Sequence, residues 1–378
     1  MCDGKRPHPR PLSDAERGAS GLKPWTGTHL LPLSVSERGP GGEVAFRAAV
    51  IAMSLLLLAG CTKSADRVVV YSAQDEDYAV RVFDGLDVGV KVEPKFDTEA
   101  NKSVGLVAEL QAEAGRPRCD VHWNNEPLGT IRLLRQGLYE PYTSPESSNY
   151  PAAPGRAYAA FAERARVLIV NTKRVPADQR PTSLFDLTHP RFQNVAAIAK
   201  PQFGTTATHA ACLFEVLGPD GAKEFFRALQ ANGVNVVAGN KAVAVGVAKG
   251  DFAVGLTDSD DATLELLAGR DVAIVLPDAV TTRPRFGTLY LPNTLALVKN
   301  GPNPAAGRRL IDRLLSKDVE EKLAEGGGHQ LPLRLDLQPL RATVLRATPE
   351  GTRMLVDFDK AADSWAETQA FLRDTFAR

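Results

Sequence analysis

At 378 residues the chain exceeds a single small domain and has material for two lobes of roughly 100 to 200 residues, each with its own core. Its 45 lysines and arginines equal its 45 acids, so no net field holds nucleic acid or an anionic membrane face, and partners must be argued from local sites. Cys2, Cys61, Cys119 and Cys212 show no CxxC pairing and no histidine at ligand spacing, so neither a zinc site nor a thioredoxin-like motif is indicated. Cys119 and Cys212 read as buried free thiols.

Residues 1–43 are rich in Pro, Gly and Arg, carry the near-repeat PLSDAERGASG and PLSVSERGPGG, and have no apolar period that could build a core. They are expected to be a misannotated or disordered extension, with translation starting near Val44. The segment 44–60 is expected to be a lipoprotein signal peptide. It places Arg47 before an apolar run of about 12 residues, too short to span a bilayer but right for a signal core. Leu58-Ala59-Gly60-Cys61 matches a lipobox, which makes Cys61 the expected lipid attachment site and 61–66 a linker.

In the mature chain, Arg67–Ser72 is β-rich, and Tyr78, Val82 and Phe83 then set a helical period. Val88–Phe96 alternates as a strand, Ser103–Ala114 is helical, Cys119–Trp123 ends a strand, and Leu128–Gln136 is a helix closed by Gly137. Arg166–Asn171 is a continuous apolar strand, and Ser183 to Asp186 has the spacing of a capping box. Strands at Val195–Ala199, Val234–Ala238, Phe252–Leu256 and Val272–Leu276 alternate with helices, among them one ending at Leu217 and another over Gly221–Asn232. Gly287–Val298 returns the chain to the first lobe, and Leu355–Phe376 reads as a helical tail. The pattern predicts an α/β protein with lobe 1 at 67–165 plus 280–325, lobe 2 at 166–279, and a C-terminal helical segment at 326–378.

Ligands of open α/β sheets bind beyond the carboxyl ends of strands. Three polar loops leave such ends: Tyr71–Asp77, His122–Glu126 and Thr257–Asp261. Gly204, Thr205 and Thr206 open a helix, where unpaired N–H groups hold anions. Each feature also has a plain structural role. Asp258, Asp260 or Asp261 could be an N-cap, Trp123 a core aromatic, the two threonines caps, and His122 and His209 packed side chains. No GxSxG, HExxH or P-loop is present, and the acids lack a partnered nucleophile.

The collinear order of VVVYSAQDE, CDVHWNNEPLGTIRLL, RVLIVNTKRVP, PTSLFDLTHPRFQN, KPQFGTTATHAA, VAVGVAKGDFAVGLTDSDDA and LPNTLALVKNGPNP resembles the solute-binding proteins of ferric-iron ABC importers. The resemblance implies a class II periplasmic-binding-protein fold, with two hinge crossovers around a ligand cleft. It implies a monomer that is lipid-anchored on the periplasmic or outer face of the membrane and has a permease and an ATPase as partners. No catalysis and no catalytic cofactor follow from it, and no nucleic acid. The family's metal positions fall on Asp75, on Asn125 and Glu126, and, for its tyrosine pair, on Ser259 and Asp260; its anion loop falls on Gly204, Thr205 and Thr206. The expected cargo is therefore a cation, ferric iron with a synergistic anion, held by Asp75, Asn125, Glu126, Asp258, Ser259 and Asp260. The alternative is an organic cation such as a polyamine or thiamine, contacted by Trp123. A metal-dependent hydrolase on the same fold and a lipoprotein that has lost transport stand behind these.

Overall fold

The computed structural model describes residues 66–97, 103–151, 157–279, 286–344 and 352–376, all within the compact unit Thr62–Arg378. The extension 1–43, the signal segment 44–60, Cys61 and nearly all of the linker lie outside the described residues.

The chain begins β1 (Arg67–Ser72), α1 (Glu76–Phe83), β2 (Lys91–Phe96), α2 (Val104–Ala112), β3 (Val121–Asn124), α3 (Pro127–Arg135) and β4 (Tyr139–Glu140). The β-branched run of β1 is buried between parallel partners, β2 on one side and β3 on the other. α3 starts where the Glu126 carboxylate caps the Leu128 and Gly129 amides and Pro127 fits the first turn; it ends at Gly137, whose φ of 73° suits glycine.

Next comes β5 (Ala159–Asn171), then β6 (Ala196–Ala199), α4 (Gly204–Ala231), β7 (Asn235–Val237), α5 (Asn240–Lys249), β8 (Val254–Asp258), α6 (Ser259–Leu267) and β9 (Val272–Val275). The chain closes with β10 (Tyr290–Val298), α7 (Pro304–Leu314), α8 (Lys317–Glu325), α9 (Gln338–Val344), α10 (Phe358–Asp363) and α11 (Trp365–Thr375). The strand order is β2-β1-β3-β10-β5-β8-β6-β7, with β4 on β10 and β9 on β5. α4 bends at Gly218 (φ 75°, ψ 161°) ahead of Pro219, at the break expected between two helices. The expected tail helix is two helices joined at Ser364.

β5 links the two halves of the sheet. Ala159–Ala165 pairs with β10, and Arg166–Asn171 pairs with β8 and β9. The register shifts at Pro292/Asn293, opposite Ala162 at φ 31°; a bulge tolerates the proline there, and Asn293 Nδ2 donates to the Ala162 carbonyl at 2.6 Å. The strand expected from Arg166 thus starts seven residues earlier, through Glu163 and Arg164, because those charges have distant partners. Glu163 receives Arg341 at 2.6 Å and Arg353 at 2.8 Å.

Three apolar clusters hold the layers. One packs β1, β3 and β10 against α1 and α7 through Val68, Val70, Leu295 and Leu310. A second packs Val167, Ile169 and Ala197 against Val243 and Val247 of α5. The third joins Leu128 and Ile131 of α3 to Phe214 and Phe225 of α4 and Leu372 of α11. Around it Arg132 lies 4.7 Å over Trp365, and Lys223 meets Glu367 at 2.6 Å, so the C-terminal helices brace α3 and α4 together. Trp123 belongs to the first cluster: it is fully buried, 5.6 Å from Phe83 and 5.4 Å from Phe161. It is a core aromatic. Among the described residues no helix is long and apolar enough to cross a membrane.

Candidate ligand cleft

Five chain segments that follow the carboxyl ends of β1, β3, β6, β7 and β8 converge on one cleft of about 480 Å³, open solvent at its mouth included. β6 delivers Lys200 and the start of α4; β7 delivers Gly239, Asn240 and Lys241 at the start of α5. β1 delivers Asp75, β3 delivers Asn125, and β8 delivers Asp258, Asp260 and Asp261. Arg164 comes from β5.

Neither α4 nor α5 has a side-chain cap: their N-cap residues are Phe203 and Gly239, and Gly204 takes the left-handed φ of 57° as α4 begins. Two helix N-termini with their first amides unclaimed by side chains thus share one cleft, and both dipoles favour negative charge there. The threonine hydroxyls are engaged elsewhere. Thr205 Oγ1 donates to Asp258 at 2.7 Å and accepts from Arg166 at 3.2 Å; Thr206 Oγ1 accepts from Arg166 at 3.1 Å and donates to Asn240 at 3.2 Å.

Arg166 is the centre of this knot. Fully buried, it donates to Asp258 at 2.6 Å and to Asn240 at 3.0 Å. Burial alone would raise the Asp258 pKa, but the Arg166 and Arg164 guanidiniums outweigh it and hold the carboxyl below its usual range. Asp258 therefore borders the cleft as half of an internal ion pair.

Asp260 differs. Burial, together with the charges of Asp258 and Asp75, raises its pKa to about 7 against the pull of Arg164, whose Nη1 stands 4.0 Å away. Carboxylate oxygens of Asp258, Asp260 and Asp261 all lie within 4.8 Å of one another. Tyr78 on α1 feels the same cluster: burial, then Asp261, Asp75 and Asp260, raise its phenol to about 12.

Of the residues singled out in the sequence, Asp75, Asn125, Gly204, Thr205, Asp258 and Asp260 line the cleft; Glu126, Ser259, Thr206 and Trp123 do not. Glu126 is 2% exposed, and its carboxylate is filled by Leu128 N at 2.7 Å, Gly129 N at 2.8 Å, Asn124 at 2.9 Å and Thr208 at 2.7 Å. Ser259 Oγ accepts from the Ala165 amide at 3.1 Å, tying α6 to β5. His122 and His209 are buried, and burial lowers both to about 3. Sequence reasoning missed Arg164, Lys200, Asn240 and Lys241. Lys200 directly follows a strand ahead of a helix, a usable signal; Arg164, inside a strand, had none.

A two-lobed α/β frame with a polar cleft beyond its strand ends is the arrangement in which such folds bind a small ligand. The match of residues 131–363 to the family described as bacterial extracellular solute-binding protein makes the attribution specific: the chain belongs to that family, the periplasmic solute-capturing components of ABC importers. It is 25% identical over 240 residues to a putative 2-aminoethylphosphonate-binding periplasmic protein of Salmonella typhimurium, covering 62% of this chain and 68% of that one. Its fold is similar to a ferric binding protein from Campylobacter jejuni (TM-score 0.72, 18% identity, 82% of this chain and 99% of that one). It is also similar to the periplasmic binding protein AfuA from Actinobacillus pleuropneumoniae with bound fructose-6-phosphate (TM-score 0.66, 22% identity, 83% and 99%). These likenesses place the fold in the class II periplasmic-binding-protein type.

Proposed function

We propose that the importer's cargo is a small zwitterion, a phosphonate or phosphate monoester carrying an amine, of the 2-aminoethylphosphonate class. The observation that carries the reading is the cleft's two-sided charge. The segments after β6 and β7 bring two uncapped helix N-termini with Lys200 and Lys241, while those after β1 and β8 bring Asp75, Asp260 and Asp261. The three phosphorus-bound oxygens of such a group, carrying up to two negative charges, suit the first wall and an ammonium the second. The Salmonella relative's name and the phosphosugar in AfuA favour the same anionic group.

Ferric iron with a synergistic anion fits less well. Glu126 is filled by its own helix, Asp258 is bound to Arg166, and three cations, Arg164, Lys200 and Lys241, border the same space. A polyamine or thiamine stacked on Trp123 loses its support, since that ring is in the core. The lobes 67–165 plus 280–325 and 166–279 would close on the ligand, with Cys61 anchoring a monomer by lipid near its permease and ATPase.

Calorimetric titration of the purified protein tests the cargo. 2-Aminoethylphosphonate should bind at least about tenfold more tightly than ethylphosphonate or ethanolamine, each of which offers charge of one sign only. Saturable binding of ferric citrate, with no heat from 2-aminoethylphosphonate, overturns the reading.

A further inference from the structure

We propose that Arg164 determines what the cleft accepts: its guanidinium stands where a metal cation would lie beside Asp260 and supplies a donor for the ligand's phosphorus-bound oxygens. The inference rests on the zwitterion reading for its second half only. Arg164 is 4% exposed, on the strand that links the sheet halves, opposite Leu291 of β10. Its Nη2 donates to the Asn125 carbonyl on the loop after β3, and Nη1 approaches Asp260 of α6 only to 4.0 Å, beyond hydrogen-bond reach. Nε has no acceptor among the described residues. A guanidinium has five N–H donors, and a buried donor left unfilled is costly, so this side chain borders the cleft with binding capacity to spare.

Arg166, two residues on, makes the contrast. It too has an unfilled Nε, but it does not line the cleft, and its two Nη atoms make four side-chain hydrogen bonds, to Thr205, Asn240, Asp258 and Thr206. Arg166 neutralises Asp258, while Arg164 neutralises Asp260 at arm's length and faces what enters. The three carboxylates within 4.8 Å are the geometry that otherwise invites a hard cation. A fixed positive charge 4.0 Å from one of them opposes a multivalent metal held by all three far more than a single ammonium at the same wall, because the repulsion scales with the cation's charge.

The test compares wild type with R164Q and R164K, using Tb3+ alone as the hard-cation probe. Its luminescence would be sensitised by Tyr78, whose phenol feels Asp75, Asp260 and Asp261. R164Q should bind Tb3+ at least about tenfold more tightly than wild type, and adding Asp260→Asn to R164Q should erase that gain. R164K keeps the charge without the planar fork, so it should exclude Tb3+ as wild type does yet bind 2-aminoethylphosphonate roughly fivefold or more weakly. R164Q that melts cooperatively and binds Tb3+ no better than wild type overturns the proposal. Should R164Q not fold, R164K decides, and unchanged 2-aminoethylphosphonate binding by R164K overturns it. If wild type itself ignores 2-aminoethylphosphonate, the zwitterion reading falls, while the Tb3+ comparison still judges Arg164.

Discussion

The loops after β3 and β8 look alike in sequence: each carries a strand into a helix through acids, Glu126 in one and Asp258 to Asp261 in the other. In the folded chain they do opposite work. Both Glu126 oxygens are taken by two amides of its own helix, by Asn124 and by Thr208 across on α4. Among the described residues Asp260, its side chain 14% exposed in the cleft wall, accepts a hydrogen bond only from the adjacent Asp261 amide at 3.1 Å, with Arg164 held at 4.0 Å. An acid at a strand end binds a ligand only where the fold leaves its lone pairs unused.

The comparison is broken most severely by Arg166→Leu, which leaves Asp258 buried and unpaired. Urea unfolding should show a loss of about 3 to 5 kcal/mol. Asp260→Asn sharpens it from the other side. With its folded pKa raised to about 7, above the unfolded carboxylate value, Asp260 contributes stability that is full below the unfolded pKa and is lost as pH rises through about 7. The substitution should flatten the wild type's fall in stability between roughly pH 4 and 7, with a relative gain at neutral pH on the order of 2 kcal/mol in denaturant titrations. Glu126→Ala should have the smallest effect, roughly 1 to 2 kcal/mol of stability, with ligand affinity unchanged by calorimetry. A lost ligand response in that variant would place Glu126 in the cleft after all.

Much of the frame is legible locally. The β1 run, the closure of α3 at Gly137, the capping box of Ser183 with Asp186, the break at Gly218 and the returning strand β10 each follow from residues within one or two turns of each other. The cleft is legible in part. Asp75, Asn125, Gly204, Thr205, Asp258 and Asp260 line it, in loops that strand ends and helix starts mark out, while the choice of Asp75 and Asn125 within those loops came from the family resemblance. Lipid attachment at Cys61 stays an expectation of the sequence alone, outside the described residues.

By itself, then, the sequence determined the alternation of strands and helices, the class of fold and the loops from which a site could be drawn, because those depend on short-range periodicity and on caps. Only the tertiary structure decided that Glu163, Arg164 and Arg166 sit in one largely buried strand, that Trp123 is core, and which acids keep a face on the cleft. The reason is electrostatic: a buried charge persists only with a partner, and those partners, Arg341 and Arg353 for Glu163, Asn125 and Asp260 for Arg164, Asp258 for Arg166, are brought to β5 from distant parts of the chain.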